Sequence, residues 1–185
     1  PRSQAKTINL GLFYGMGKAK LQAELGVSKE KANELFTIYH ERVPFVKTLM
    51  NSVSNRAQQR GQIRTLLGRL CRFHLWEPNQ FGVHKALPFD QARQEYGAGI
   101  KRAYTYKALN KLIQGSAADM IKKAMLDLYN EGIIPLIQIH DELNISIKDE
   151  DEADKVIEIM QNAVNLEVPN KVDYETGKHW GEIEG

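Results

Sequence analysis

Two apolar segments, residues 133–139 and 143–147, are separated by only His140, Asp141 and Glu142. The second alternates Leu143, Ile145 and Ile147 with Asn144 and Ser146, the pattern of a half-exposed strand; the first is apolar in character and is expected to be a buried one. The pair predicts a tight hairpin with two carboxylates at its tip. Acidic groups are costly in such a place unless they are solvated or hold a metal. A carboxylate there can bind Mg²⁺, which takes one or two carboxylates together with substrate phosphates. A plain polar turn is the other reading, although Asn-Gly or Asp-Gly is the usual choice for one. Glycosidase-type chemistry needs two facing carboxylates, whereas neighbours in a strand point to opposite faces, which weighs against it.

Upstream, residues 2–15 read as a helix with Arg2, Lys6, Leu10 and Tyr14 four apart, so that they line one face. Arginine and lysine side by side at a helix end can hold a polyphosphate, and a tyrosine on the same stripe offers a ring for a base or sugar. A solvated basic face above an apolar seam is the alternative. A short segment from Lys20 to Leu25 follows. Ser28 predicts an N-cap for a helix to Arg42 with Ala32, Leu35, Phe36 and Tyr39 inward, and Pro44 begins another helix that ends near Gly61. Residues 63–73 predict a hairpin around Leu67 and Gly68. Residues 74–100, with Pro78, Gly82, Pro88, Gly97 and Gly99, read as a long loop or insertion. Residues 101–130 read as one long helix or two. A last helix is expected over about 150–165 and a strand over 168–172, with Trp180 packing the C-terminus.

Composition narrows the class. The 185 residues are 42% apolar and 26% charged, ordinary globular values. Cys71 is the single cysteine, so no disulfide framework or cysteine zinc site can be built, and a reducing compartment, the cytoplasm, is expected. No apolar run reaches the about 20 residues of a membrane span. The net charge of +2 conceals an asymmetry: residues 1–123 carry 21 Lys and Arg against 8 Asp and Glu (+13), and residues 124–185 carry 4 against 15 (−11). The basic part would attract nucleic acid. The acidic run Asp149 to Asp154 reads as a solvated helix start, where carboxylates meet the positive end of the dipole; a metal cage is the alternative.

Taken in order, these segments resemble a known family. Arg2-Ser-Gln-Ala-Lys6-Thr-Ile-Asn-Leu10-Gly-Leu-Phe-Tyr14-Gly15 resembles motif B of the family A, polymerase I-like DNA polymerases, and Gln138-Ile-His140-Asp141-Glu142-Leu resembles motif C. Between them, Asn110 to Lys122 resembles the helix that precedes motif C, with Asn110 and Gln114 four apart, and Thr65-Leu-Leu-Gly68-Arg69 matches the family's hairpin. Gly177-Lys-His-Trp180 resembles its usual ending. The related single-subunit RNA polymerases typically carry serine where Glu142 stands, which favours a DNA product.

The resemblance implies an α+β fold: helical fingers over residues 1–60, then, over 61–185, a fingers-to-palm hairpin, the insertion and the C-terminal part of an antiparallel palm sheet with packed helices, an incomplete right hand. It implies that Arg2 and Lys6 bind the triphosphate of a dNTP, with Lys6 also protonating the departing pyrophosphate. Leu10 would lie near the incoming sugar and Tyr14 near the templating base. Asp141 would hold catalytic Mg²⁺ with Glu142 beside it, His140 would contact the primer terminus, and Asn110, Gln114 and Arg69 would bind primer–template DNA.

Two departures matter. Leu10 stands where the family usually has phenylalanine or tyrosine, which predicts weak acceptance of dideoxynucleotides and, with the insertion, points to a phage-type enzyme. Motif A, an aspartate-bearing D-[YF]-S-x-x-E strand, does not occur; Asp173-Tyr174-Glu175 follows motif C and lacks the serine. Two-metal transfer needs both aspartates. The chain is therefore expected to be inactive alone, to need an N-terminal polymerase portion, and to expose a sheet edge. A non-catalytic nucleic-acid-binding module with the same fold is the competing reading; a helical scaffold does not explain why these residues fall together in order.

Overall fold

The computed structural model describes residues 2–80 and 85–182, apart from the side chains of Ser3, Gln4, Thr7 and Trp180. The expected packing of Trp180 and the central residues of the insertion thus lie outside the described residues. The architecture is α+β, in two compact units, Pro1–Gln114 and Gly115–Gly185.

The first unit opens with four helices: α1 (Arg2–Phe13), α2 (Lys18–Leu25), α3 (Lys29–Arg42) and α4 (Pro44–Arg60). Local chemistry sets their ends. The Ser28 hydroxyl accepts the Lys31 N–H at 3.2 Å and starts α3 as predicted, Pro44 supplies the first turn of α4 without wasting a donor, and Gly61 ends it in the left-handed region at φ 67°. Strands β1 (Gln62–Arg64) and β2 (Leu70–Arg72) then form the expected antiparallel hairpin, with Gly68 at φ 87° in its turn. Val53 and Ala57 of α4 pack on Ile63, Phe73 and Ala108, with Leu49, Cys71 and Leu112 around them.

Residues 74–100 are not one long loop. Strand β3 (Trp76–Pro78) pairs antiparallel with β4 (Ile100–Arg102), and α5 (Phe89–Tyr96) lies between them in sequence. The prolines and glycines that suggested a loop are punctuation: Pro78 closes β3, while Pro88 and Gly97 bound α5. Three-residue strands and a helix that buries only Ala92 are too short to show a period. Arg102 anchors this insertion. Its guanidinium donates to the Phe73 carbonyl at 2.9 Å, stacks 4.5 Å over Trp76 and fills the space where a Cβ on Gly61 would stand. The expected helix over 101–130 correspondingly starts late. Tyr104, at φ 61°, and a single 3-10 turn over 105–107 precede α6 (Ala108–Asn130).

The second unit contains the rest of α6, strands β5 (Ile137–Ile139) and β6 (Glu142–Asn144), and α7 (Glu150–Asn162). Asp149 caps α7 by accepting the Glu152 N–H at 2.9 Å, while the Glu152 carboxylate accepts the Lys148 N–H at 2.7 Å. The acidic run is thus a helix start. Leu128, Ile133 and Val156 form the core with Leu143, Ile145, Ile159 and Met160. Two expectations are corrected here. Of the apolar run 133–139 only Ile133 is buried, and Ile134 and Leu136 are 62% and 68% exposed. β5 pairs only with β6 among the described strands, and the run stays largely exposed. Residues 168–172 form no strand: Pro169 lacks a donor and Val168 lies exposed with nothing to pair against.

Candidate active site and nucleic-acid interface

Helix α1 carries the predicted stripe. Arg2, Lys6 and Leu10 are exposed, whereas Tyr14, in the turn that follows, is half-buried. The Tyr14 ring packs edge-on against Phe13 at 5.3 Å, and its hydroxyl receives a hydrogen bond from the Gln114 amide at 3.1 Å. The structure thus brings together two residues singled out for different reasons. Gln114 and Asn110 are both exposed, one turn apart on α6, so they project side by side. Leu12, on the opposite side of α1, is fully buried and seats the helix. Arg69 is exposed at the end of the β1–β2 turn, and its carbonyl is held by the Thr65 N–H at 2.9 Å.

His140 and Asp141 form the turn of the second-unit hairpin, and Glu142 opens β6 opposite Ile139. All three are exposed. His140 adopts φ 53°, a left-handed conformation that a non-glycine residue reaches at a cost of about 1–2 kcal/mol. Side chains on the two strands hold the turn: the Gln138 amide donates to the His140 carbonyl at 2.7 Å, and the Asn144 amide donates to the Glu142 carboxylate at 3.0 Å. Glu142 is therefore anchored, and the Asp141 carboxylate stands at the tip. Sequence reasoning missed Gln138 and Asn144 as supports; their period-two placement around the acidic turn was the available signal.

Hard carboxylate oxygens on an exposed tip are suitable donors for Mg²⁺. Asp141 and Glu142 fit part of such a site. Among the described residues no group of three or more side chains that could hold a metal ion gathers. No helix among the described residues is long and apolar enough to cross a membrane.

The family model described as DNA polymerase family A matches residues 1–182. The chain is 32% identical over 218 aligned residues to a DNA-directed DNA polymerase of Pseudomonas phage M6, covering 100% of this chain and 30% of the phage protein. It is 37% identical over 189 residues to DNA polymerase I of Bacillus caldotenax, covering 97% of this chain and 20% of that one. Among solved structures, the POL domain of Pol1 from M. smegmatis, in complex with DNA primer-template and dNTP, superposes with a TM-score of 0.67 at 32% identity, over 91% of this chain and 28% of that one. The chain thus spans about a fifth to a third of the relatives it matches. With the basic helix stripe, the paired Asn110 and Gln114 and the acidic hairpin in the family's order, and a family match that runs almost from end to end, the chain belongs to DNA polymerase family A.

Proposed function

We propose that this chain performs template-directed DNA synthesis as the C-terminal fingers and palm part of a polymerase, transferring a nucleotidyl group from a dNTP to a primer 3′-hydroxyl. The observation that carries the reading is the acidic hairpin, whose tip presents Asp141 with Glu142 anchored beside it, in a chain similar to a POL domain solved with primer-template and dNTP. Residues 1–60 would be the fingers helices. Residues 61–185 would be the fingers-to-palm hairpin, the insertion and the palm.

In this reading the exposed Arg2 and Lys6 hold the triphosphate, the arginine through its fork and the lysine as a point charge. Lys6 also gives its proton to the departing pyrophosphate. Leu10 borders the sugar of the incoming nucleotide, and Tyr14 borders the templating base. Asn110 and Gln114 donate to minor-groove acceptors that every correct pair presents in similar positions. His140 contacts the primer end, and Arg69 contacts the DNA backbone. Mg²⁺, held by Asp141 and Glu142, would supply charge stabilisation at the transferred phosphate. Because the chain spans only part of its relatives, a second aspartate on an N-terminal polymerase portion would complete the site.

The test is primer extension by this chain with and without an N-terminal portion carrying a motif A aspartate. Extension is expected only when both are present and is expected to vanish with Asp141→Ala while primer–template binding persists. Synthesis that survives Asp141→Ala would sink the assignment. A complex that binds DNA and never extends it would favour a non-catalytic binding module instead.

A further inference from the structure

Arg102 stands where the end of α4, the residue after β2, strand β3 and the approach to α6 meet. Its guanidinium donates to the Phe73 carbonyl at 2.9 Å and lies 4.5 Å from the Trp76 ring. It also occupies the space beside Gly61, where a Cβ would stand 2.6 Å from the guanidinium carbon. Gly61 in turn accepts the Phe73 N–H at 2.8 Å. The Arg102 backbone is held as well. Ala103, the next residue, donates to the Leu75 carbonyl at 2.9 Å, so by the alternation of an antiparallel ladder the Arg102 peptide groups face away from β3. Gln58 of α4 meets them there. With its amide oriented to satisfy both groups, it accepts the Arg102 N–H at 2.9 Å and donates to the Arg102 carbonyl at 3.2 Å, in the place of a neighbouring strand. The Thr105 hydroxyl lies 3.3 Å from the same amide.

Two residues on, Tyr104 takes φ 61°, and the 3-10 turn and α6 follow. A non-glycine residue keeps that conformation only where its surroundings over-determine it. The buried bed of α6 at this end is small: Ala108, packed with Val53 and Ala57, offers one methyl group. Apolar contact has no preferred direction, whereas hydrogen bonds and a flat stacked guanidinium do. We propose that Arg102 is a positioning residue for the amides of α6: its junction with Gln58, Gly61, Phe73 and Trp76 sets where α6 begins and which way Asn110 and Gln114 face. The insertion β3–α5–β4 is then a brace that carries this arginine and the ring beneath it. Asn110 and Gln114 lie one turn apart on one face, so a rotation at the start of α6 moves both together. A shift of about 1 Å caused far from the chemistry can cost about a hundredfold in rate. The use of the two amides on DNA rests on the proposed function; the junction itself does not.

The test joins backbone hydrogen exchange to primer–template binding, both on the chain as it stands. Arg102→Met keeps much of the stem and removes the fork. It should lower protection over residues 104–112 and leave α1 to α3 unchanged. It should also weaken primer–template binding several-fold, and that loss should disappear in a chain already carrying Asn110→Ala and Gln114→Ala. Arg102→Lys should not restore binding, because an ammonium keeps the charge and lacks the planar fork. Gln58→Leu opens the same junction from the α4 side and should reproduce the exchange pattern, including in the case that Arg102→Met does not fold. Protection lost evenly along the chain, a binding loss that persists without Asn110 and Gln114, or full rescue by lysine would overturn the proposal, the last two by making Arg102 a direct contact. If Asn110→Ala with Gln114→Ala leaves binding intact, the DNA role of α6 falls with the proposed function, and protection lost only over 104–112 would still show that Arg102 sets the start of α6.

Discussion

Tyr14 and Gln114, a hundred positions apart in the chain, are joined by a hydrogen bond of 3.1 Å from the glutamine amide to the tyrosine hydroxyl. One stands at the end of the α1 stripe and the other on α6, and each has a separate proposed partner in the nucleic acid. Their direct contact makes the two positions energetically dependent. Tyr14→Phe removes the hydroxyl and keeps the ring, and Gln114→Met keeps the shape and removes the donor. Each should cost about 0.5–1.5 kcal/mol of stability at most, less because Gln114 is exposed. The double variant should cost no more than the larger single one. Additive costs in urea unfolding would show that the bond contributes nothing.

His140 holds the turn of the acidic hairpin at φ 53°, where glycine is at ease and histidine is not. Replacing it with glycine should leave the fold as stable or raise its stability by up to about 1 kcal/mol, since relief of strain is partly offset by the entropy of the unfolded glycine. The same change should lower primer extension by the complete enzyme, because the proposed contact to the primer end is lost. A variant that is fully active would remove the proposed contact of His140 to the primer end.

Leu10 is 47% exposed on the α1 stripe. In the proposed function this position would border the incoming sugar, and in the family it resembles the tyrosine form is associated with acceptance of dideoxynucleotides. Leu10→Tyr in the complete enzyme should raise incorporation of 2′,3′-dideoxynucleotides relative to dNTPs. The check is a competition between the two in single-turnover extension, and an unaltered ratio would remove Leu10 from the sugar pocket.

A pH dependence should originate in α3. The His40 imidazole lies against Phe36 at 4.4 Å, with its Nδ1 buried and lacking a hydrogen-bond partner among the described residues. Burial, with a smaller contribution from the Lys47 charge, holds its pKa below the ordinary histidine value. The folded chain therefore takes up the proton less readily than the unfolded chain. Stability should be fully present above the ordinary value of about 6.5 and decline as pH falls below it toward the folded value. His40→Gln should flatten that part of the melting-temperature profile. A profile that keeps its slope between about pH 6.5 and 5 in the variant would place the titrating group elsewhere.

Much of the local structure was legible because it is set by neighbours in sequence. The Ser28 cap, the Pro44 start, the Gly61 stop and the Gly68 turn depend on backbone geometry and on bonds that reach three or four residues. The acidic run from Asp149 was read as a helix start for the same reason. The insertion was not legible. Its strands β3 and β4 are three residues each, and their pairing across more than twenty residues leaves no period in either one.

The sequence by itself determined the order of the basic helix stripe, the Asn110 and Gln114 pair and the acidic hairpin, because spacing along one helix face or one turn needs no distant partner. Only the tertiary structure decided that Tyr14 and Gln114 touch, that Arg102 ties the insertion to the end of α4, and that Ile134 and Leu136 lie bare despite an apolar run that predicted burial. Hydrophobicity states what a segment would gain from a second layer; whether that layer exists depends on residues far away in the chain.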